Sequence, residues 1–325
     1  MTGKQQLTLL TATALAALAG GAARADENGA SVYLLGTGGP GTAIAPPLEG
    51  IYLDNTIYIY TGGTKSTRDF KIGGNLVTDV DMTLPADFLT LLAVPSTNFL
   101  GGTLGIGAAL PVGAPMIDAS AVVTGPLGRE IGIRRHDANI IVGDPLAVAS
   151  LTWKSGKFHA QLSGMVNIPV GYYREGALAS LSFHRWAEDV SIGVTYHDED
   201  RGWDLSHKVG ITFNGRNTAT DYDSGNDLHV EASIEKILSK KFSLGVLGYH
   251  FEQLTGDSGS GATLGPYKGK VNGVGGTIAY NTVLGRAPST FRLKVIQEFG
   301  EKNRPKGTAF MLDLALPLHM KMPGR

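Results

Sequence analysis

Two histidine–serine pairs, His159 with Ser163 and His229 with Ser233, repeat a spacing of four within strand-like runs. A hydrolytic site needs its nucleophile within hydrogen-bond reach of a base, and a third group to orient that base. Four residues of extended chain span about 13 Å, too far for proton transfer. The pairs therefore predict solvated or interior histidines, not an enzyme. Acidic groups offer a second candidate chemistry. Asp221, Asp223, Gly225 and Asp227 alternate along the chain, and His197, Asp198, Glu199 and Asp200 are consecutive, so both runs could present hard oxygens to a divalent cation. The first places glycine fifth where a calcium loop needs it sixth, and it lacks the bidentate Glu at the twelfth position. Acidic turns are the simpler reading, and neither a metal nor a cofactor is expected.

A third set is larger. Lys71, Asp79, Asp81, Lys208, His229, Glu231, Glu235, Arg292, Lys294, Glu298 and Asp313 lie on the polar side of runs that alternate apolar and polar residues. Successive side chains of a strand point to opposite faces, so each run sets an aliphatic row against an ionisable one. From Asp227 the aliphatic row is Leu228, Val230, Ala232 and Ile234, and the polar row is His229, Glu231, Ser233 and Glu235. Similar alternation recurs to give about a dozen candidate strands of roughly ten residues, parted by turns such as Asp223-Ser224-Gly225-Asn226 and Arg304-Pro305-Lys306-Gly307. A soluble sandwich hides the aliphatic row in a core, whereas a membrane barrel turns it to lipid and encloses the ionisable row. Alternation alone leaves both open.

The start of the chain narrows the choice. Lys4, an apolar run from Leu7 to Leu18, and Ala23-Arg24-Ala25 predict a Sec-type signal peptide over residues 1–25. That run is too short for a spanning helix, which needs roughly 20 apolar residues, and no later run reaches such a length. An exported chain of this kind is either soluble or a barrel, the one non-helical structure that satisfies every backbone group in lipid. Cysteine is absent, which excludes disulfides and thiolate chemistry. Removing Lys4 and Arg24 from the 28 basic residues leaves 26 against 29 acidic, so no basic excess points to nucleic acid.

Residues 26–50 are rich in Gly and Pro and show no sustained period, so they make a poor central strand. Two readings stand: a mobile periplasmic leader, or a plug folded into the lumen and anchored by Val32, Tyr33, Leu34 and Leu35. Residues 51–325 then form the barrel. The run Phe242 to Phe251 is apolar on both faces, which implies either a bulge or a partly apolar lumen. Leu247, Tyr249 and Phe251, with Tyr52, join the four anchors as candidates for a plug or hydrophobic path. Pro85, Pro95, Pro111 and Pro115 interrupt residues 84–125, where a long loop or a short helix around Ala86 to Ala93 is expected. Trp153, Trp186, Trp203, Tyr249, Phe251 and Tyr280 fall near strand ends, as interfacial girdles require. Arg129, Arg134, Arg135 and His136 form a basic cluster that either contacts lipopolysaccharide phosphates or is a solvated loop.

Several stretches together resemble a known family. They are Gly29 to Tyr52, Gly143-Asp144-Pro145, Asn167 to Tyr173, Thr220 to Glu231 and Leu244 to Gly259. In this order they are similar to the outer-membrane family associated with the phenol meta-cleavage pathway, which includes sphingosine-responsive outer-membrane proteins. The resemblance spans nearly all of the expected mature chain. It implies a β-barrel for passage of hydrophobic, often aromatic, compounds in a Gram-negative outer membrane, and it carries no catalytic residues. One departure is the C-terminal strand, where Leu316-Pro317-Leu318 precedes a polar tail instead of a terminal Phe or Trp.

The expected fold is all-β: a transmembrane antiparallel β-barrel of about 12 strands, within a range of roughly 10 to 14. The expected function is passive admission of a small hydrophobic solute by a monomer set among outer-membrane lipid and lipopolysaccharide. The interior charges read either as salt bridges that rigidify a narrow barrel or as a constriction that steers a solute. A structural or lipid-interacting barrel that conducts nothing is the alternative.

Overall fold

The alternating runs become strands whose neighbours close into a ring. The structure, a computed structural model, describes residues 29–72, 75–124, 130–262 and 268–321, with side chains outside strand positions 65–72, 75–78, 121–124 and 130–134. In chain order the strands are β1 (Gly50–Ile72), β2 (Asn75–Phe99), β3 (Gly102–Gly113), β4 (Met116–Thr124), β5 (Glu130–Ala138), β6 (Ile141–Val142), β7 (Leu146–Ser155), β8 (Phe158–Asn167) and β9 (Ala187–Asp198). They continue with β10 (Trp203–Asn214), β11 (Arg216–Asn217), β12 (Tyr222–Asp223), β13 (Asp227–Ile237), β14 (Phe242–Gln253), β15 (Lys270–Leu284), β16 (Ala287–Lys302) and β17 (Lys306–Met320). Twelve of these form a closed antiparallel barrel, running β1, β2, β3, β7, β8, β9, β10, β13, β14, β15, β16 and β17. The seam closes where β17 pairs with β1, from Gly50↔Met320 to Gly63↔Lys306. The β4–β5 hairpin extends the sheet beyond the ring by pairing with Asp79 to Thr83 of β2.

One end of the barrel carries short turns, such as those at 99–102, 155–158 and 284–287, and the other carries the long connections 114–145, 168–186 and 254–269. Along the wall the two rows separate as a barrel in lipid demands. His229, Glu231, Ser233 and Glu235 are buried, while Ile234 beside them is exposed; in β9, Ile192 is 56% exposed and Ser191 is buried. Equivalent exposed apolar side chains recur around the ring, among them Ile57, Leu89, Ile106, Leu162, Val246, Ile278, Leu293 and Phe310. A continuous apolar belt of this kind is too large for a protein meant to sit in water. The arrangement is the reverse of a soluble sandwich, whose aliphatic rows would meet in a dry centre.

Residues 84–125 differ from the expected loop or short helix. Ala86 to Ala93 lie within β2, and the prolines are accommodated because each meets a break in the ladder. Pro85 falls between the pairings Thr83↔Met116 and Ala86↔Gly113. Pro95 sits at the register shift between Ala93 and Ser96. Pro111 lies past the end of the β3–β7 ladder at Ala109↔Leu146, and Pro115 is in the turn before β4. A missing N–H costs no sheet hydrogen bond at such places.

The phase of β2 is also reversed from the expectation. Asp79 and Asp81 are exposed, so neither lines the lumen, whereas Val80 is buried against Ile117, Ala119, Leu178 and Ala179. The physical reason is the 168–186 connection, which covers the inner face of the extended β2 and gives Val80 an apolar site. The side chain of Lys71 lies outside those described, as do the signal peptide and Arg129 and Arg134. In β14 the register with β13 and β15 is unbroken, so the doubly apolar run is no bulge. Leu244 and Val246 face out, and Leu247, Tyr249 and Phe251 face a partly apolar lumen. Tyr249 and Phe251 therefore leave the girdle, while Trp153, Trp186, Trp203 and Tyr280 remain on the outer surface.

Candidate functional site

The site is built where residues 29–49 meet the inner wall. This inner segment begins against Arg304 and Pro305 at the loop end, and reaches the turn end where Lys321 N donates to Glu49 O at 2.8 Å. Having few intrasegment hydrogen bonds, it satisfies its amides from the wall, as buried backbone must. Gly36 N and Gly38 N donate to the two oxygens of Glu231 at 3.0 and 2.7 Å. Gly41 N donates to Asp204 Oδ1 at 3.1 Å and Ser206 Oγ at 2.9 Å, and Ala43 N donates to Thr195 Oγ1 at 3.2 Å. Lys294 Nζ donates to Gly36 O at 3.1 Å. Glycine is required at 36, where φ is +92° and a Cβ would lie 2.6 Å from Ile296 Cδ1.

Interior charges are matched between strands that are adjacent or up to three places apart in the ring. Lys294 pairs with Asp313 at 3.0 Å, and Arg292 makes a two-pronged ion pair with Glu235 while donating to Thr277. Glu298 accepts from Tyr60 Oη at 2.7 Å, Tyr249 Oη at 2.8 Å and Gly307 N at 2.9 Å. Lys208 places its ammonium 4.9 Å from the Tyr33 ring centroid. His229 Nε2 lies 2.9 Å from Asp189 Oδ2 and 3.4 Å from Ser191 Oγ. Ser233 Oγ has no hydrogen-bond partner among the described residues, so the His229–Ser233 spacing brings no nucleophile to a base. Of the acidic turn, Asp221 receives Ser260 N and pairs with Arg216, and Asp227 accepts from Asn214.

The apolar candidates come together above these charges. Tyr33, Leu35, Leu247, Tyr249 and Phe251 form one buried cluster with Val271, Ile296, Ala309 and Met311, and Leu34 packs on its edge. Val32 is buried as well. Tyr52 stands apart at the turn end, where its hydroxyl donates to Leu48 O at 2.6 Å. Toward the loop end the cluster borders a cavity of about 190 Å³ lined mainly by apolar and aromatic groups, including Tyr58, Tyr60, Leu84, Phe88, Leu146 and Phe183. Its cover, the 168–186 connection, is held by buried Asp144, which accepts from Ser182 Oγ at 2.7 Å, Phe183 N at 2.8 Å, Gly171 N at 2.9 Å and Asn167 Nδ2 at 3.1 Å.

Tyr58, Tyr60, Asp144, Asp189, Asp204 and Arg304 were not among the residues expected from sequence. Tyr58 and Tyr60 alternate with Ile57 and Ile59, and a phenol beside an isoleucine gives no polar–apolar contrast. Arg304 reads only as part of a turn.

An apolar belt, a closed antiparallel ring and an ionisable interior define an outer-membrane β-barrel protein. The chain belongs to the family described as "Putative MetA-pathway of phenol degradation", whose model matches residues 66–314. Among solved structures, an outer membrane channel from Pseudomonas putida F1 superimposes with a TM-score of 0.65 at 17% identity, covering 85% of this chain and 98% of that one. Likeness at that identity is one of fold. A FadL homologue from Pseudomonas aeruginosa gives a TM-score of 0.46 at 11% identity, over 93% of this chain and 97% of that one. No curated protein sequence matches the chain.

Proposed function

We propose that the protein is a passive route for small hydrophobic or aromatic compounds across the outer membrane of a Gram-negative cell, exported by a Sec-type signal peptide and working as a monomer among lipid and lipopolysaccharide. The observation that carries this reading is the aromatic cavity at the loop end of the lumen, where Tyr58, Tyr60, Phe88 and Tyr249 offer a solute apolar surface inside an otherwise charged barrel. Sites for small molecules are typically concave and mostly apolar, with a few polar groups for orientation. The inner segment acts as a plug, since its contacts with Glu231, Lys294 and Asp204 span the lumen below the cavity. With no ATP-binding motif in the sequence, direction comes from consumption of the solute downstream.

Deleting Val32 to Pro47 is the direct test of the plug. Single-channel conductance in planar bilayers is expected to rise, and an unchanged conductance would overturn that role. Liposome swelling with benzyl alcohol tests the route itself. The competing reading, a structural barrel without transport, draws on the matched interior charges and expects no swelling above empty liposomes.

A further inference from the structure

We infer that Arg304 makes the loop-end cavity a receptor for the carboxylate of a small aromatic acid, an inference that rests on the passive-route reading above. Arg304 lies in the connection between β16 and β17, is only 9% exposed and lines the cavity together with Tyr58, Tyr60 and Phe88. Its Nε and Nη1 are fully buried and have no hydrogen-bond partner among the described residues. Two other buried cations of the lumen differ: Arg292 has Glu235, and Lys294 has Asp313 and Gly36 O. Leaving a guanidinium out of water without a partner is costly, so a side-chain shift that brings these nitrogens to the cavity surface is favoured once an anion is there to receive them.

The carboxylate of Glu298 does not fill the role. Glu298 lines the same cavity, yet it accepts from Tyr60, Tyr249 and Gly307 N and makes no ion pair with Arg304. The guanidinium is also held in place, since its carbon sits over the Phe251 ring, 4.4 Å from the centroid. A planar fork so held matches the two oxygens of a carboxylate. The rest of the solute meets aromatic surface: Tyr58 and Phe88 stand edge to face with centroids 6.2 Å apart. One end of the cavity therefore selects a negative head and the remainder an apolar ring.

The experiment compares benzoate with its neutral counterpart benzamide, each titrated calorimetrically into the detergent-solubilised full chain. Hydrogen bonds to a charged group predict benzoate binding about tenfold or more tighter than benzamide. Arg304→Gln should erase that preference while benzamide still binds, and Arg304→Lys should retain part of it. Heat-modifiable gel mobility establishes that each variant keeps its barrel. Equal affinity for the two compounds in the unaltered protein, or a benzoate preference that survives Arg304→Gln, overturns this inference and leaves the passive route intact. If neither compound binds and neither swells liposomes, the passive-route reading fails and this inference with it.

Discussion

The Tyr33 ring lies flat on the His229 imidazole, with ring centroids 3.5 Å apart and planes inclined by 11°. Through this contact the inner segment reaches the wall at β13, and through His229 it reaches Asp189 on β9. Tyr33→Ala removes a large buried ring and is expected to weaken the seating of the segment by about 3 to 5 kcal/mol. Faster amide hydrogen exchange at Gly36 and Gly38 would report it, and protection equal to that of the unaltered protein would count against the role given to this contact.

The Arg292–Glu235 pair joins β16 to β13 with both side chains largely buried. Glu235→Gln leaves a buried guanidinium uncompensated, and the expected loss is about 3 to 5 kcal/mol of stability. Replacing both residues by leucine should recover most of that loss. Urea unfolding in lipid vesicles, followed by tryptophan fluorescence, measures both effects.

Inward and outward rows of β9 make opposite predictions for neighbouring positions. Ile192→Arg puts a charge on the lipid face and is expected to destabilise the inserted barrel by about 2 to 4 kcal/mol. Ile192→Leu should be nearly neutral. If Ile192→Arg folds into vesicles as well as the parent does, the outer belt does not face acyl chains.

Asp137 of β5 lies outside the barrel ring and ties the hairpin to the 168–186 cover. Burial alone would push its carboxyl up, but the amides of Ala179 and Leu178 and the Arg174 guanidinium outweigh that and hold it below its ordinary value of 3.8. A folded-state value below the unfolded one stabilises docking above about pH 4, and that contribution is lost as pH falls through the folded value. Proteolysis of the cover should therefore be unchanged from neutral pH to about pH 5 and rise only below the ordinary carboxyl range. With Asp137→Asn the cover should be cut more readily at neutral pH, the difference narrowing as pH falls through the folded value, and indifference to that change at neutral pH would remove Asp137 from this role.

Much of this architecture was legible wherever the two rows contrast strongly. Leu228 to Glu235 could be assigned to faces because aliphatic and ionisable residues alternate without interruption, and the structure keeps that phase. Around Val80 the contrast exists, but it does not say which row is covered. The answer lies with Leu178 and Ala179, about a hundred residues away, and no local pattern encodes their approach. Prolines misled for a related reason. Pro85 and Pro95 forbid a ladder bond at one position, and whether the partner strand is present there depends on how β3 and β4 divide the length of β2. Arg304 was invisible as a site because its significance is two buried nitrogens without hydrogen-bond partners among the described residues, a property of three-dimensional neighbours.

Gly50 joins the inner segment directly to β1, so the segment is tethered to the wall it packs against. Any escape from Glu231 and Asp204 is thus intramolecular, and the detached chain stays at a high effective concentration for return. Recovery should follow first-order kinetics that do not depend on how many barrels share a membrane, and a dilute population would reseal as quickly as a crowded one.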